Sequence, residues 1–218
     1  MSSKIKCAVF DLDGTLINTI DDLAGACNIL LEKYGFDVQW SIDDYKKFVG
    51  NGAKKLVERA FNHTLDEKTL QTRYDEFKEI YNRIKLDNAC AYSGIKEQID
   101  IIKNKGVKIC VVTNKPDIAA KGMIEHIFGS DYFDFVIGCI DGVPTKPDPA
   151  TVNTALEKLS CKPSEAIYFG DSEVDMQTAK NAGIEAVGCS WGFRSFEQLF
   201  SQHPSIIIDK PEYISKLF

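Results

Sequence analysis

The sequence predicts an α/β fold: a parallel sheet with helices on both faces, plus an inserted all-helical domain. Three observations carry this. An apolar run, Ile5 to Phe10, opens the chain. Residues 18–88 are helical in pattern and hold no convincing strand. From Tyr92 onward, apolar runs of strand length alternate with helical stretches, the signature of βαβ units. The expected boundaries are residues 1–17 and 89–218 for the α/β core and 18–88 for the helical insert.

The first run is uniformly apolar, as a strand buried on both faces should be. In the insert, Asp21 and Asp22 are candidate caps for a helix to about residue 34, with Leu23, Ala26, Cys27, Leu30 and Leu31 on one side and Gly35 as its stop. Ser41 can cap a short helix containing Ile42, Tyr45 and Phe48. Val49-Gly50-Asn51-Gly52 is a loop signal. Leu56, Val57, Ala60 and Phe61 pattern the next helix, and residues 67–85 a long one. In the core, Ser93 is expected to cap a helix ended by Gly106. Strands are expected over residues 107–112, 133–140, 166–169, 184–188 and 205–208. Helices are expected over 117–127, over 147–159 with prolines at its start, and over 174–181. Right-handed crossovers then bring the carboxyl ends of the strands to one edge, where Rossmann-like sheets bind ligands.

Composition excludes several classes. With 218 residues, 44% hydrophobic and 11% aromatic, the chain can build a real core. A net charge of −6 with no basic block argues against nucleic acid. No apolar stretch approaches the roughly 20 residues needed to span a bilayer, and no signal-peptide pattern precedes the first strand, so a cytoplasmic protein is expected. The seven cysteines form no CxxC, and several, such as Cys7, Cys110 and Cys139, lie in apolar runs; they are expected to be reduced. His63, His126 and His203 have no partners at metal-ligand spacing.

The chemistry is concentrated at strand ends. The first strand runs into Asp11-Leu12-Asp13-Gly14-Thr15-Leu16. Strand periodicity would aim Asp11 and Asp13 to one side, and like charges that close need a cation or a shared proton. A second strand delivers Thr113 and Asn114, a hydroxyl and an amide suited to phosphoryl oxygens. Lys146, among prolines in Thr145-Lys146-Pro147-Asp148-Pro149, supplies a point charge. A further strand ends in Gly170-Asp171-Ser172-Glu173-Val174-Asp175, where Asp171 and Asp175 are spaced by one helical turn. Four carboxylates against one ammonium leave a dianionic phosphate ester needing a divalent cation, and Mg²⁺ prefers carboxylate oxygens.

These four clusters, in this order, resemble the motifs of the haloacid dehalogenase-like (HAD) hydrolase superfamily over most of residues 5–190. The resemblance implies Asp11 as nucleophile forming an aspartyl-phosphate, with Asp13 as general acid and then base. Thr113, Asn114 and Lys146 would hold the phosphoryl oxygens. Mg²⁺ would be held by Asp11, the backbone carbonyl of Asp13, and Asp171, with Asp175 a ligand or an orienting group. Members that act on halides or phosphonates lack the acid that stands here as Asp13, so phosphate monoesters are favoured. The insert resembles the family's C1 helical cap. Its Gly50-Asn51-Gly52-Ala53-Lys54 loop, with Thr113-Asn114-Lys115-Pro116, resembles the phosphoglycolate phosphatase branch, although serine stands at 93 where that branch usually has proline. Gly50, Asn51, Gly52 and Lys54 are then expected to meet the leaving group. The implied function is Mg²⁺-dependent hydrolysis of a small phosphorylated metabolite, by a monomer or homodimer. A phosphomutase of the β-phosphoglucomutase type, a pyrophosphatase or nucleotidase, and a non-enzymatic binding protein are the alternatives.

Overall fold

The computed structural model describes residues 5–218. The chain divides into two compact units, one running through Ile17 and resuming at Ala91–Phe218, the other covering Asn18–Cys90.

The first unit is built on a six-stranded, all-parallel sheet. Its strands are β1 (Cys7–Phe10), β4 (Lys108–Pro116), β5 (Phe135–Cys139), β6 (Ala166–Gly170), β7 (Glu185–Cys189) and β8 (Ile206–Ile208), in the order β5-β4-β1-β6-β7-β8. β1 is central, and none of its four residues is exposed. Its register is even on both sides: Val9 lies opposite Cys110 of β4 and Tyr168 of β6. Both faces are apolar because both are covered. On one, Cys7, Val9, Cys110, Val112 and Tyr168 pack with Val152, Ala155 and Leu156 of α7 (Ala150–Lys158) and Ala179 and Ala182 of α8 (Glu173–Ala182). On the other, Phe10 stacks on Phe169 with ring centroids 4.7 Å apart. Helices α5 (Ile95–Asn104), α6 (Asp117–Phe128) and α9 (Phe196–Phe200) complete the unit.

Three details differ from expectation. β4 runs on through Pro116, with a register shift between Val112 and Pro116 against β5, so Thr113, Asn114 and Lys115 belong to an irregular strand end. The N-cap of α5 is Gly94 in a left-handed conformation (φ 84°), and Ser93 makes no capping bond. α7 begins at Ala150, three residues later than expected, with Pro149 as its N-cap.

The second unit contains α1 (Ile20–Lys33), α2 (Ile42–Phe48), α3 (Ala53–Ala60) and α4 (Glu67–Ile84). Ser41 caps α2 in a reciprocal capping box with Asp44. Asp21 and Asp22 do not cap α1: Thr19 is its N-cap, and Asp22 is buried, accepting hydrogen bonds from the Asn88 and Ala89 backbones and the Asn88 amide. A tertiary bond has taken the carboxylate that local capping would have used. The chain crosses between units in two short strands, β2 (Ile17–Asn18) and β3 (Cys90–Ala91), which pair with each other. Among the described residues no helix is long and apolar enough to cross a membrane, and Cys7, Cys27, Cys90, Cys110, Cys139, Cys161 and Cys189 are all free thiols.

Candidate active site

Parallel strands deliver their carboxyl ends to one edge, and the order places β4 and β6 on either side of β1. β1 stops at Phe10, so residues 11–13 are outside the strand and its alternation no longer governs them. The chain turns tightly there: the backbone N–H groups of Thr15, Leu16 and Ile17 all point to the Leu12 carbonyl. Each carboxylate of the pair consequently meets its own lysine. Asp11 Oδ1 lies 2.8 Å from Lys146 Nζ, and Asp13 Oδ1 lies 3.0 Å from Lys115 Nζ.

Lys146 is almost wholly buried, its side chain 2% exposed. Its ammonium also donates to Asp175 Oδ1 at 2.7 Å and contacts the Tyr168 hydroxyl at 3.1 Å. Asn114 clasps the lysine's backbone, its Oδ1 accepting from Lys146 N–H at 2.8 Å and its Nδ2 donating to the Lys146 carbonyl at 3.0 Å. The Asn114 amide thereby positions Lys146 at the site. Thr113 is buried at the same strand end; its Oγ1 accepts from Lys115 N–H at 3.2 Å, which leaves the hydroxyl hydrogen to donate elsewhere.

Asp171 and Asp175 are not successive turns of one helix. Asp171 precedes α8, Ser172 is its N-cap, and Asp175 is the third residue, closing a capping box with Ser172. Asp175 Oδ2 accepts from the Ser172 N–H and hydroxyl, and Oδ1 takes Lys146 and Tyr168. Both oxygens are engaged, so Asp175 orients Lys146. Asp171 Oδ2 accepts from Phe193 N–H at 2.7 Å, and Oδ1 from the Thr15 hydroxyl at 3.2 Å. Its carboxyl sits between two glycines. A Cβ on Gly14 would lie 2.2 Å from Asp171 Oδ2, and one on Gly192 would lie 2.4 Å from Asp171 Cβ. Gly14 also has φ +89°, which other residues resist. Arg194, buried, forms a bidentate pair with Glu173.

Asp11, Asp171 and Asp175 bring carboxylate oxygens within 4.8 Å of one another, the metal-capable cluster found among the described residues. Asp11 Oδ1 is ion-paired with the Lys146 ammonium at 2.8 Å. Hard oxygen donors from three buried residues suit a hard divalent cation. The electrostatics agree. Burial first, and then the Asp175 charge, push the Asp11 carboxyl up to about 7. Burial, then Asp175 and Asp11, hold Asp171 well above the usual carboxylate range. Burial alone would lower the Lys146 ammonium, but Asp11 and Asp175 outweigh it and raise it well above its ordinary value. Burial is the largest cause for both carboxyls, and the neighbouring carboxylates add to it; a bound cation would favour their charged forms.

The residue types, order and geometry agree with a match to the haloacid dehalogenase-like hydrolase family over residues 8–189. The chain belongs to that family. A phosphoglycolate phosphatase of Pseudomonas savastanoi pv. phaseolicola is 30% identical over 208 residues, which covers 94% of this chain and 76% of the relative. Another of that name, from Psychrobacter arcticus, is 32% identical, with 92% and 90% covered. The crystal structure of a predicted phosphoglycolate phosphatase from Haemophilus somnus 129pt superposes with a TM-score of 0.90 at 27% identity, over 100% of this chain and 99% of that one. This family member is accordingly a phosphatase.

The remaining expected residues lie in the helical unit. Gly50 and Gly52 have positive φ, 125° and 86°, and Gly52 is the N-cap of α3. Asn51 Oδ1 accepts from Arg59 at 2.8 Å. Lys54 Nζ donates to Glu67 at 2.6 Å and Gln71 at 3.0 Å. These side-chain bonds are made inside that unit. The sequence assigns no individual task to Lys115, Tyr168, Thr15, Ser172 or Gly192, although Thr15, Lys115 and Ser172 stand within the motif runs. Only Ser172 carried a legible signal, as the serine of a Ser-x-x-Asp capping box.

Proposed function

We propose that this chain hydrolyses a small phosphate monoester of the phosphoglycolate class, with Mg²⁺, through an aspartyl-phosphate on Asp11. One observation carries the proposal: a buried Asp11 paired to Lys146 and clustered with the carboxylates of Asp171 and Asp175, the lysine held on three sides. Asp11, Asp171 and the Asp13 carbonyl would hold the ion. Mg²⁺ in that place supplies two positive charges to a space that is short of them and draws in an anionic ester. Asp11 attacks phosphorus in line and the ester oxygen departs. Asp13 gives that oxygen a proton, then takes one from the water that attacks the aspartyl-phosphate. Lys146 and the Thr113 hydroxyl hold the equatorial oxygens while their charge shifts. Asn114 and Asp175 keep Lys146 where this requires it. The loop Gly50–Lys54 is assigned the leaving-group contacts, and free thiols throughout accord with a cytoplasmic site of action.

The test is phosphate release from a panel containing phosphoglycolate, sugar phosphates, nucleoside monophosphates and pyrophosphate, with Mg²⁺ or with EDTA. Phosphoglycolate should give the highest kcat/KM and only with Mg²⁺. Undiminished turnover by Asp11→Asn would end the proposal.

A further inference from the structure

Lys115 takes no part in the chemistry assigned above, yet its side chain is 3% exposed and its ammonium bonds both oxygens of Asp13, at 3.0 and 3.3 Å. Its placement is built into the sheet. The register shift of β4 against β5 falls between Val112 and Pro116, and irregularities of this kind re-aim side chains. The backbone N–H of Lys115 is tied to Thr113 Oγ1. Gly138 of β5 lies so close to this segment that a Cβ there would sit 2.5 Å from the Lys115 carbonyl oxygen. The Gly138 N–H is bonded in turn to Asp117 Oδ1 at 2.9 Å. A long cation has been fixed at one end and buried along its length, with its charge on the group that must handle protons.

We infer that Lys115 is a positioning residue that sets how fast the phosphorylated enzyme is cleared by water, by fixing the carboxylate of Asp13. The inference rests on the aspartyl-phosphate proposal. In the second half of the cycle a water oxygen bonds to phosphorus and the bond from phosphorus to the Asp11 oxygen breaks. Asp11 leaves as a carboxylate, the water proton passes to the Asp13 carboxylate, and inorganic phosphate departs. The rate depends on Asp13 being aimed at that water, and orientation of a base is worth orders of magnitude. Lys115 bonds both Asp13 oxygens and so fixes the carboxylate plane. An enzyme that loosens this group lets the aspartyl-phosphate live longer.

The experiment uses Lys115→Met with p-nitrophenyl phosphate and Mg²⁺. Nitrophenolate departs without needing a proton, so phosphorylation proceeds whatever the state of Asp13. Slower dephosphorylation should lower kcat roughly ten- to hundredfold and KM in proportion. The ratio kcat/KM, which reports steps through phosphorylation only, should stay within about twofold. Rapid mixing should show a nitrophenolate burst approaching one per enzyme, with acid-stable phosphoenzyme recovered. Lys115→Arg should restore kcat in part. A fall in kcat/KM equal to that in kcat, with no burst, overturns the inference, as does an unchanged kcat. If Lys115→Met does not fold, Lys115→Gln reads the same ratio. Absence of phosphoenzyme from the native protein, with full activity in Asp11→Asn, would instead defeat the aspartyl-phosphate proposal.

Discussion

Two lysines, one in each unit, show how burial changes what an ion pair is worth. Lys146 and Lys54 each hold an acidic partner at 2.6–2.8 Å. Lys146 is 2% exposed, facing Asp11 and Asp175, with its backbone clasped by Asn114. Lys54 is 36% exposed and its partner Glu67 82%. In the first case the pair is held by its surroundings and screened little by water. In the second, solvent and salt weaken it and side-chain entropy opposes it. Bond length is nearly the same; the consequence of breaking the bond is not.

The contrast orders the expected effects. The largest is on activity: Asp11→Asn should lower kcat by about 10⁴-fold or more while the protein stays folded, measured by phosphate release. Next, Lys146→Met strands two buried carboxylates and should cost about 3–5 kcal/mol of stability, read from the urea midpoint. A pH experiment probes one of these carboxyls. The Asp11 carboxyl is raised in the folded protein from 3.8 to about 7. It therefore adds stability below pH 3.8 that is lost as pH rises to about 7. In EDTA, the Tm of the native protein relative to Asp11→Asn should fall across that window. Saturating Mg²⁺ should abolish the fall. Gly14→Ala forces a Cβ against Asp171 at a positive φ, and should cost about 1–3 kcal/mol and weaken Mg²⁺ binding, measured by calorimetry. Smallest is Lys54→Met, expected within about 1 kcal/mol in stability. A loss there as large as that of Lys146→Met would break the comparison.

The two units also differ in how far they were legible. The core strands stood out because burial on both faces leaves uniform apolar runs, and Asp11, Thr113, Lys146 and Asp171 follow such runs or sit among prolines. What escaped notice depends on contacts distant in sequence. Lys115 is an ordinary cation until a register shift aims it at Asp13, 102 positions away. Tyr168 looks like plain core in an apolar strand, and only the fold puts its hydroxyl on Lys146 and Asp175. In the helical unit, Asp22 was taken for a local cap because nothing nearby shows that Asn88 and Ala89 will claim it. Asn114 is legible as a site residue by its type, but its clasp on the Lys146 backbone is not, since residue type reveals hydrogen-bonding capacity and not which partner uses it.

The pairing of β2 with β3 makes the helical unit a module. Its first and last residues, Asn18 and Cys90, belong to strands that are already hydrogen-bonded neighbours. A replacement segment need span almost no distance, and closing so small a gap costs little more for a long insert than for a short one. Evolution, or an engineer, can exchange the contents of this doorway wholesale while the parallel sheet and its carboxylates keep their frame.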